Sequence, residues 1–294
     1  MQVVSWTSLT SSMNVKSWAS VLDSLRSAMA TRAQVPSLAY NIGMNTCGRS
    51  LQWQHVLSLL RGMSQFGLEP TVISYSCAVA ACEKCKQWQQ ALLLLVELSQ
   101  EQVEADTIIY NSAMSACEKG NEWRQGLSLL SEMRSVKLEP DGISTYNAGI
   151  SACEKGEQWE RALALLSEMW EVKLEPTVVS YSAGISACEK CEQWLQALAL
   201  LGETRAAKLE PNVVSYSAGI SACEKGEKWQ WALALLSEMW EAKVRPNAIS
   251  YNAGISACEK GTQWQRALAL LGEMREAKLE HTVIISTPQG QVPA

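Results

Sequence analysis

The chain reads as an all-α solenoid of helix-turn-helix repeats of about 35 residues, and three observations predict it. Tyr40, Tyr75, Tyr110, Tyr146, Tyr181, Tyr216 and Tyr251 recur at intervals of 35, 35, 36, 35, 35 and 35 residues. Trp53, Trp88, Trp123, Trp159, Trp194, Trp229 and Trp264 keep the same step, with Trp18 one period earlier. Between these markers apolar residues fall three and four apart, the period of an amphipathic helix. Self-similarity at such a period marks a tandem array, so function has to be sought in the positions that vary between repeats.

Residues 1–36 come first and support two compatible readings. They align as a degraded first repeat, with Trp6 near the Tyr position and Trp18 on register. Their Ser and Thr content, with Asp23 the only acid beside Lys16, Arg26 and Arg32, is also the composition of an organellar targeting segment. Residues 37–282 hold seven repeats. In the unit Val178 to Asn212, Tyr181, Ile185 and Cys188 form one apolar stripe on a helix running to about Lys190. Gly120, Gly156, Gly226 and Gly261 stand where a left-handed residue would end that helix, and Cys85 and Cys191 replace them in two units. A second stripe, Trp194, Ala197, Leu198 and Leu201, ends near Lys208 to Pro211, where proline stops the helix. Each hairpin buries too little apolar surface to stand alone, so neighbours must stack, with the Trp and Tyr ladders as core. Gly149, Gly184, Gly219 and Gly254 inside the first helix are expected to soften it. Residues 283–294 begin another repeat and dissolve into a disordered tail. No capping helix follows Glu280, which points to an exposed last core face or a truncated chain.

Composition narrows the partners. The formal net charge of −5 over 294 residues argues against a strongly basic nucleic-acid binder without saying which face carries which sign. Seven of the ten cysteines (Cys47, Cys82, Cys117, Cys153, Cys188, Cys223, Cys258) share one repeat position. Sulfurs on stacked helices about 10 Å apart lie beyond disulfide reach, so they read as small core residues in a reducing compartment. No stretch approaches the roughly 20 apolar residues that cross a bilayer, and no membrane partner is expected.

The 35-residue period, Tyr followed by Asn or Ser near the start, the A-L-x-L-L-x-E-M second helix and the terminal K-L-E-P followed by Asn, Asp or Thr resemble the pentatricopeptide repeat. The resemblance covers about residues 3–286 and implies a right-handed superhelical solenoid that binds single-stranded RNA one base per repeat, commonly in organelles. In that family the residue after the repeat Tyr and the last residue of the repeat read one base jointly. An amide can both donate and accept, whereas a carboxylate only accepts and so suits a ring N–H. The resemblance then implies Asn41 with Thr71 for a pyrimidine, Ser76 with Asp106 for G, Asn111 with Asp141 for U and Asn147 with Thr177 for a pyrimidine. Ser182 with Asn212 and Ser217 with Asn247 follow for A, and Asn252 with Thr282 for a last pyrimidine, giving Y-G-U-Y-A-A-Y. Thr7 with Ser37 is too degraded to read, and Gly142, an extra residue, leaves the register at Asp141 unsettled. Wedges between bases fall on Leu38, Ile73, Ile108, Val179, Val214 and Ile249, with Ile143 or Ser144 in the remaining repeat. Those residues also fit ordinary apolar positions at a helix start. Arg49, Lys84, Lys119, Lys155, Lys190, Lys225 and Lys260 match the family's phosphate-contacting position, and equally a helix terminus where the dipole favours cations.

Catalysis and metals find little support. Cys82-x-x-Cys85 and Cys188-x-x-Cys191 resemble zinc half-sites but stand three repeats apart with no histidine at ligand spacing. Only Asp23, Asp106 and Asp141 are aspartates and only His55 and His281 histidines, so neither a two-metal nuclease nor a zinc deaminase is assembled. The expectation is a protein without enzymatic activity, cofactor or metal, binding single-stranded RNA and not DNA, with catalysis left to a protein partner. The alternative is a scaffold holding a peptide in its groove.

Overall fold

The computed structural model describes residues 18–30, 36–136, 142–277 and 279. Among them are fifteen helices of thirteen residues and no strand. The described helices are α1 (Trp18–Ala30), α2 (Ser37–Arg49), α3 (Trp53–Gln65), α4 (Val72–Lys84), α5 (Trp88–Gln100), α6 (Thr107–Lys119), α7 (Trp123–Ser135), α8 (Ile143–Lys155), α9 (Trp159–Glu171), α10 (Val178–Lys190), α11 (Trp194–Ala206), α12 (Val213–Lys225), α13 (Trp229–Glu241), α14 (Ala248–Lys260) and α15 (Trp264–Glu276). Even-numbered helices are the first of each repeat and odd-numbered ones the second. Trp18 opens α1 as its counterparts open every later second helix. Trp6 and residues 283–294 lie outside the described residues.

The chain divides into two compact units at Gly156. Within each, a first helix packs on its own second helix and on the first helix of the next repeat, which makes an all-α repeat solenoid. The seven Tyr rings and the seven ladder cysteines are buried. Burial raises the Cys82, Cys188 and Cys223 thiols from their ordinary 9.0 to about 12. The folded chain therefore holds these protons more tightly than the unfolded one. Their contribution to stability is complete below pH 9 and is lost as pH rises from 9 towards 12. Denaturant midpoints should fall across that window and iodoacetamide at pH 8 should leave the ladder cysteines unmodified; fast alkylation of the folded chain at Cys188 or Cys223 would show the core to be open.

The tryptophans depart from the core role expected of them. They are half-buried, and Trp264, with no described repeat beyond it, is 65% exposed. They form the joints instead. A Cβ on Gly120 would lie 2.4 Å from Trp88 Cδ1, and one on Gly226 2.5 Å from Trp194 Cδ1. The helix-ending glycines are thus there to admit the indole of the preceding repeat, not to turn left-handed: Gly120 has φ −85° and Gly226 φ −76°. The left-handed residue is the next one, Asn121 (φ 61°) or Glu227 (φ 56°). Its motif is closed by bonds such as Lys228 N to Cys223 O at 2.8 Å, a Schellman turn. Second helices stop the same way, with Lys208 at φ 58° three residues before Pro211. Proline is not what ends them.

Gly184, Gly219 and Gly254 do not interrupt their helices. A Cβ on Gly219 would lie 2.6 Å from Leu201 Cδ1, so the missing side chain lets a leucine of the preceding repeat press onto the backbone. The flexible leucine tip can yield by a methyl, since Ala78 and Ala113 occupy the same position in their repeats.

Candidate nucleic-acid interface

The second, fifth and thirteenth residues of a first helix share one stripe, because about 100° per residue brings them to one face. On that stripe fall the wedge position, the residue after the Tyr and the terminal cation. The wedge position and the cation are about 16 Å apart along the helix. Leu38, Ile73, Ile108, Val179, Val214 and Ile249 are between 56% and 66% exposed, an aliphatic residue left largely uncovered by the described residues at the same place in six repeats. In the repeat with the extra residue, α8 begins at Ile143, so Ser144 holds the wedge position and is exposed.

In five repeats the last residue, Thr71, Asp106, Thr177, Asn212 or Asn247, proves to be the N-cap of the next first helix. Asp106 Oδ1 accepts the Ile109 N–H at 2.9 Å, and Thr71 and Thr177 form capping boxes with Ser74 and Ser180. Asn212 Oδ1 accepts from Ser215 N at 3.0 Å, from Ser215 Oγ at 3.2 Å and from Ser182 Oγ at 3.4 Å. Asn247 is held the same way, at 2.9 Å from Ser250 N and 3.0 Å from Ser250 Oγ. With the carbonyl ends of Asn212 and Asn247 saturated, only their amide N–H groups remain to offer. Asp106, by contrast, keeps its second oxygen as an open acceptor.

The residue after the Tyr is tied into the same network. Asn41 Oδ1 accepts from Ser74 Oγ at 2.9 Å and Asn111 Oδ1 from Thr145 Oγ1 at 2.7 Å. Ser182 and Ser217 are buried, at 2.7 Å from Ser215 Oγ and Ser250 Oγ respectively, and are shorter than the Asn of other repeats. The third helical residue (Ser74, Ser215, Ser250) therefore joins the two candidate reading positions, a part that the sequence argument did not assign, while Thr145 is seen to bond Asn111. In one repeat it is Ile109, and there Ser76 has no hydroxyl to bond across the joint. Asn147 and Asn252 are half-buried at the equivalent position. The N-cap of α8 is Gly142, with no side chain, while Asp141 and Thr282, like Thr7, lie outside the described residues.

Four of the seven cations at the helix ends are already engaged. Lys119 pairs with Glu83 at 2.8 Å, Lys155 with Glu118 at 3.4 Å, Lys225 with Glu189 at 2.7 Å and Lys260 with Glu224 at 2.7 Å, each reaching back to the preceding repeat. Lys190 stands at the same position, and Lys84 has Gly48 where the others meet glutamate. A row of alternating charge results where a basic stripe was one of the two expectations. Such partly exposed pairs contribute little stability. A phosphate would have to compete with the glutamates.

Cys85 Sγ donates to Leu51 O at 3.5 Å and Cys191 Sγ to Glu157 O at 3.2 Å, and all ten cysteines are free thiols. Among the described residues no group of three or more His, Cys, Asp or Glu could hold a metal, and no helix is long and apolar enough to cross a membrane.

Comparison with known proteins bears on this geometry. A pentatricopeptide repeat domain model matches residues 92–158, 128–190 and 199–261, and a PPR repeat model matches 249–279. No curated protein matches the sequence. Among solved structures, the pentatricopeptide repeat protein PPR10 from maize superposes with a TM-score of 0.73 at 25% identity, covering 96% of this chain and 40% of PPR10. PPR10 in complex with an 18-nucleotide psaJ RNA element gives a TM-score of 0.55 at 17% identity, covering 88% of this chain and 43% of that one. The PPR domain of Arabidopsis thaliana protein-only RNase P 1, in complex with tRNA, gives 0.52 at 16%, covering 57% of this chain and 89% of that one. The chain thus spans about two fifths of maize PPR10. With repeat models matching more than half its length and the helical hairpins laid out as described, the chain belongs to the pentatricopeptide repeat family.

Proposed function

We propose that the chain binds single-stranded RNA one base per repeat, with the core Y-G-U-Y-A-A-Y read from the N-terminal repeat at the 5′ end, in organellar RNA processing, stability or translation. The observation that carries this is the uncovered aliphatic residue beside the capping residue in repeat after repeat. A splayed base needs an apolar surface to lie on and a polar edge to meet, and the two stand side by side. Stacking on aromatic side chains contributes about 1–3 kcal/mol per base, and aliphatic wedges contribute less. The donor left on Asn212 and Asn247 matches adenine N1 and opposes the guanine N1–H, while the open oxygen of Asp106 takes that N1–H. The U rests on Asn111 without a capping side chain and should discriminate least. RNA bound to maize PPR10 and tRNA bound to the RNase P domain support the ligand class. In this reading the chain acts by occupancy, or by bringing a protein partner that supplies the chemistry.

Fluorescence anisotropy of the chain on labelled Y-G-U-Y-A-A-Y, against RNA with both adenines changed to cytosine, tests this. The first should bind more tightly by about 1–3 kcal/mol per mismatch. Seven phosphate contacts would give a log–log salt slope near about −5, and the paired lysines predict a shallower one. Equal affinity for both RNAs would refute base reading, and a folded chain with no affinity for either would favour a peptide-binding scaffold.

A further inference from the structure

An outer cleft between successive second helices is floored by the hydroxyl of a repeat Tyr and a glutamate at the tenth residue of that repeat's second helix. In one repeat the chain itself places a guanidinium on that floor, beside a remaining cavity of about 380 Å³. Arg205, at the end of α11, ion-pairs with Glu238 of α13, which also accepts from Tyr216 Oη at 3.0 Å. Lys208 and Glu210 line the same cleft. Three repeats earlier the floor is the same, with Tyr110 Oη donating to Glu132 Oε1 at 3.1 Å. There, however, Ser99 stands in place of Arg205 and Gln102 in place of Lys208. Both cations are gone while both carboxylates remain, as Glu104 and Glu132, around a cavity of about 440 Å³ with Val136 on its wall. Glu132 is exposed, whereas Glu238 beneath its arginine is half-buried.

We propose that the Tyr110–Glu132 cleft is a docking site for an arginine side chain presented by a protein partner. The chain supplies the template: a guanidinium from the neighbouring helix already satisfies the same Tyr and Glu floor at Tyr216. A planar fork can bond the carboxylate while its methylene stem lies along apolar wall, which a compact ammonium does less well. Charge agrees, since no described lining residue of the open cleft is cationic.

The test is anisotropy of a fluorescein-labelled glycine-leucine-arginine-leucine-glycine peptide on the nuclease-treated full chain, with a citrulline peptide as the isosteric neutral probe. Saturable binding of the arginine peptide is expected, weakened at least about tenfold by citrulline, by Glu132→Gln and by Ser99→Arg, which should pair with Glu132 from within as Arg205 does with Glu238. Both substitutions are at exposed positions, so circular dichroism should be unchanged. Arginine and citrulline peptides binding alike, no saturable binding, or wild-type affinity in both variants would overturn the proposal.

Discussion

Tyr216→Ala should destabilise the chain by about 3–5 kcal/mol, the cost of emptying a fully buried aromatic site. The ring is 1% exposed and its hydroxyl donates to Glu238, so the substitution removes both core volume and a charge-assisted bond. Repeats are stabilised by their neighbours, and the loss should therefore also loosen the repeats on either side. Urea denaturation followed by circular dichroism reads it, and a loss under about 1 kcal/mol would mean that the Tyr ladder is not core. The hydroxyls give an internal control. Tyr216→Phe should cost about 1 kcal/mol. Tyr40→Phe should cost nothing or stabilise, because Tyr40 Oη is buried with no partner among the described residues.

Asn212→Asp should move the preference of its repeat from adenine towards guanine while leaving the fold as stable as before. Asp and Asn cap helices about equally well, so one carboxylate oxygen can take over the Ser215 N–H that Asn212 Oδ1 now accepts at 3.0 Å. What changes is the other atom, from a donor to an acceptor. Affinity for the adenine RNA should drop and that for RNA with guanine at this base rise, by about 1–3 kcal/mol between them. Unchanged preference with unchanged stability would place base reading elsewhere. Asn212→Ala is the complement: it should lose the preference and about 1 kcal/mol of stability together.

Much of this was legible in the sequence because Tyr and Trp mark the same turn in every repeat. The first helix was expected to run to about Lys190 and ends there, and Trp194 opens the next one as the stripe required. The glycines misled for a definite reason: spacing locates a helix end but carries no backbone angle. The residue that turns left-handed is Lys86, Asn121, Glu157, Glu192, Glu227 or Thr262 in successive repeats, so it has no signature. The pairing of Lys225 with Glu189 was equally hidden. Lys119, Lys155, Lys225 and Lys260 each have a glutamate just before them in sequence and bond the one a repeat earlier, a choice only the stacking makes. The hydroxyl link from Ser182 to Ser215 could have been found, since Ser or Thr recurs three residues after most caps, but serine is not the usual reciprocal partner in a capping box.

The residue that closes one repeat also starts the next helix, and this restricts how such an array can change its target. Asn, Asp, Ser and Thr are the residues that begin helices well, and Thr, Asp or Asn fills the cap before α4, α6, α10, α12 and α14. If those caps read bases, the recognition alphabet is a subset of the capping alphabet. Drift from one target to another then passes only through letters the scaffold already tolerates, so specificity can diverge quickly between duplicated copies without any of them becoming unfoldable.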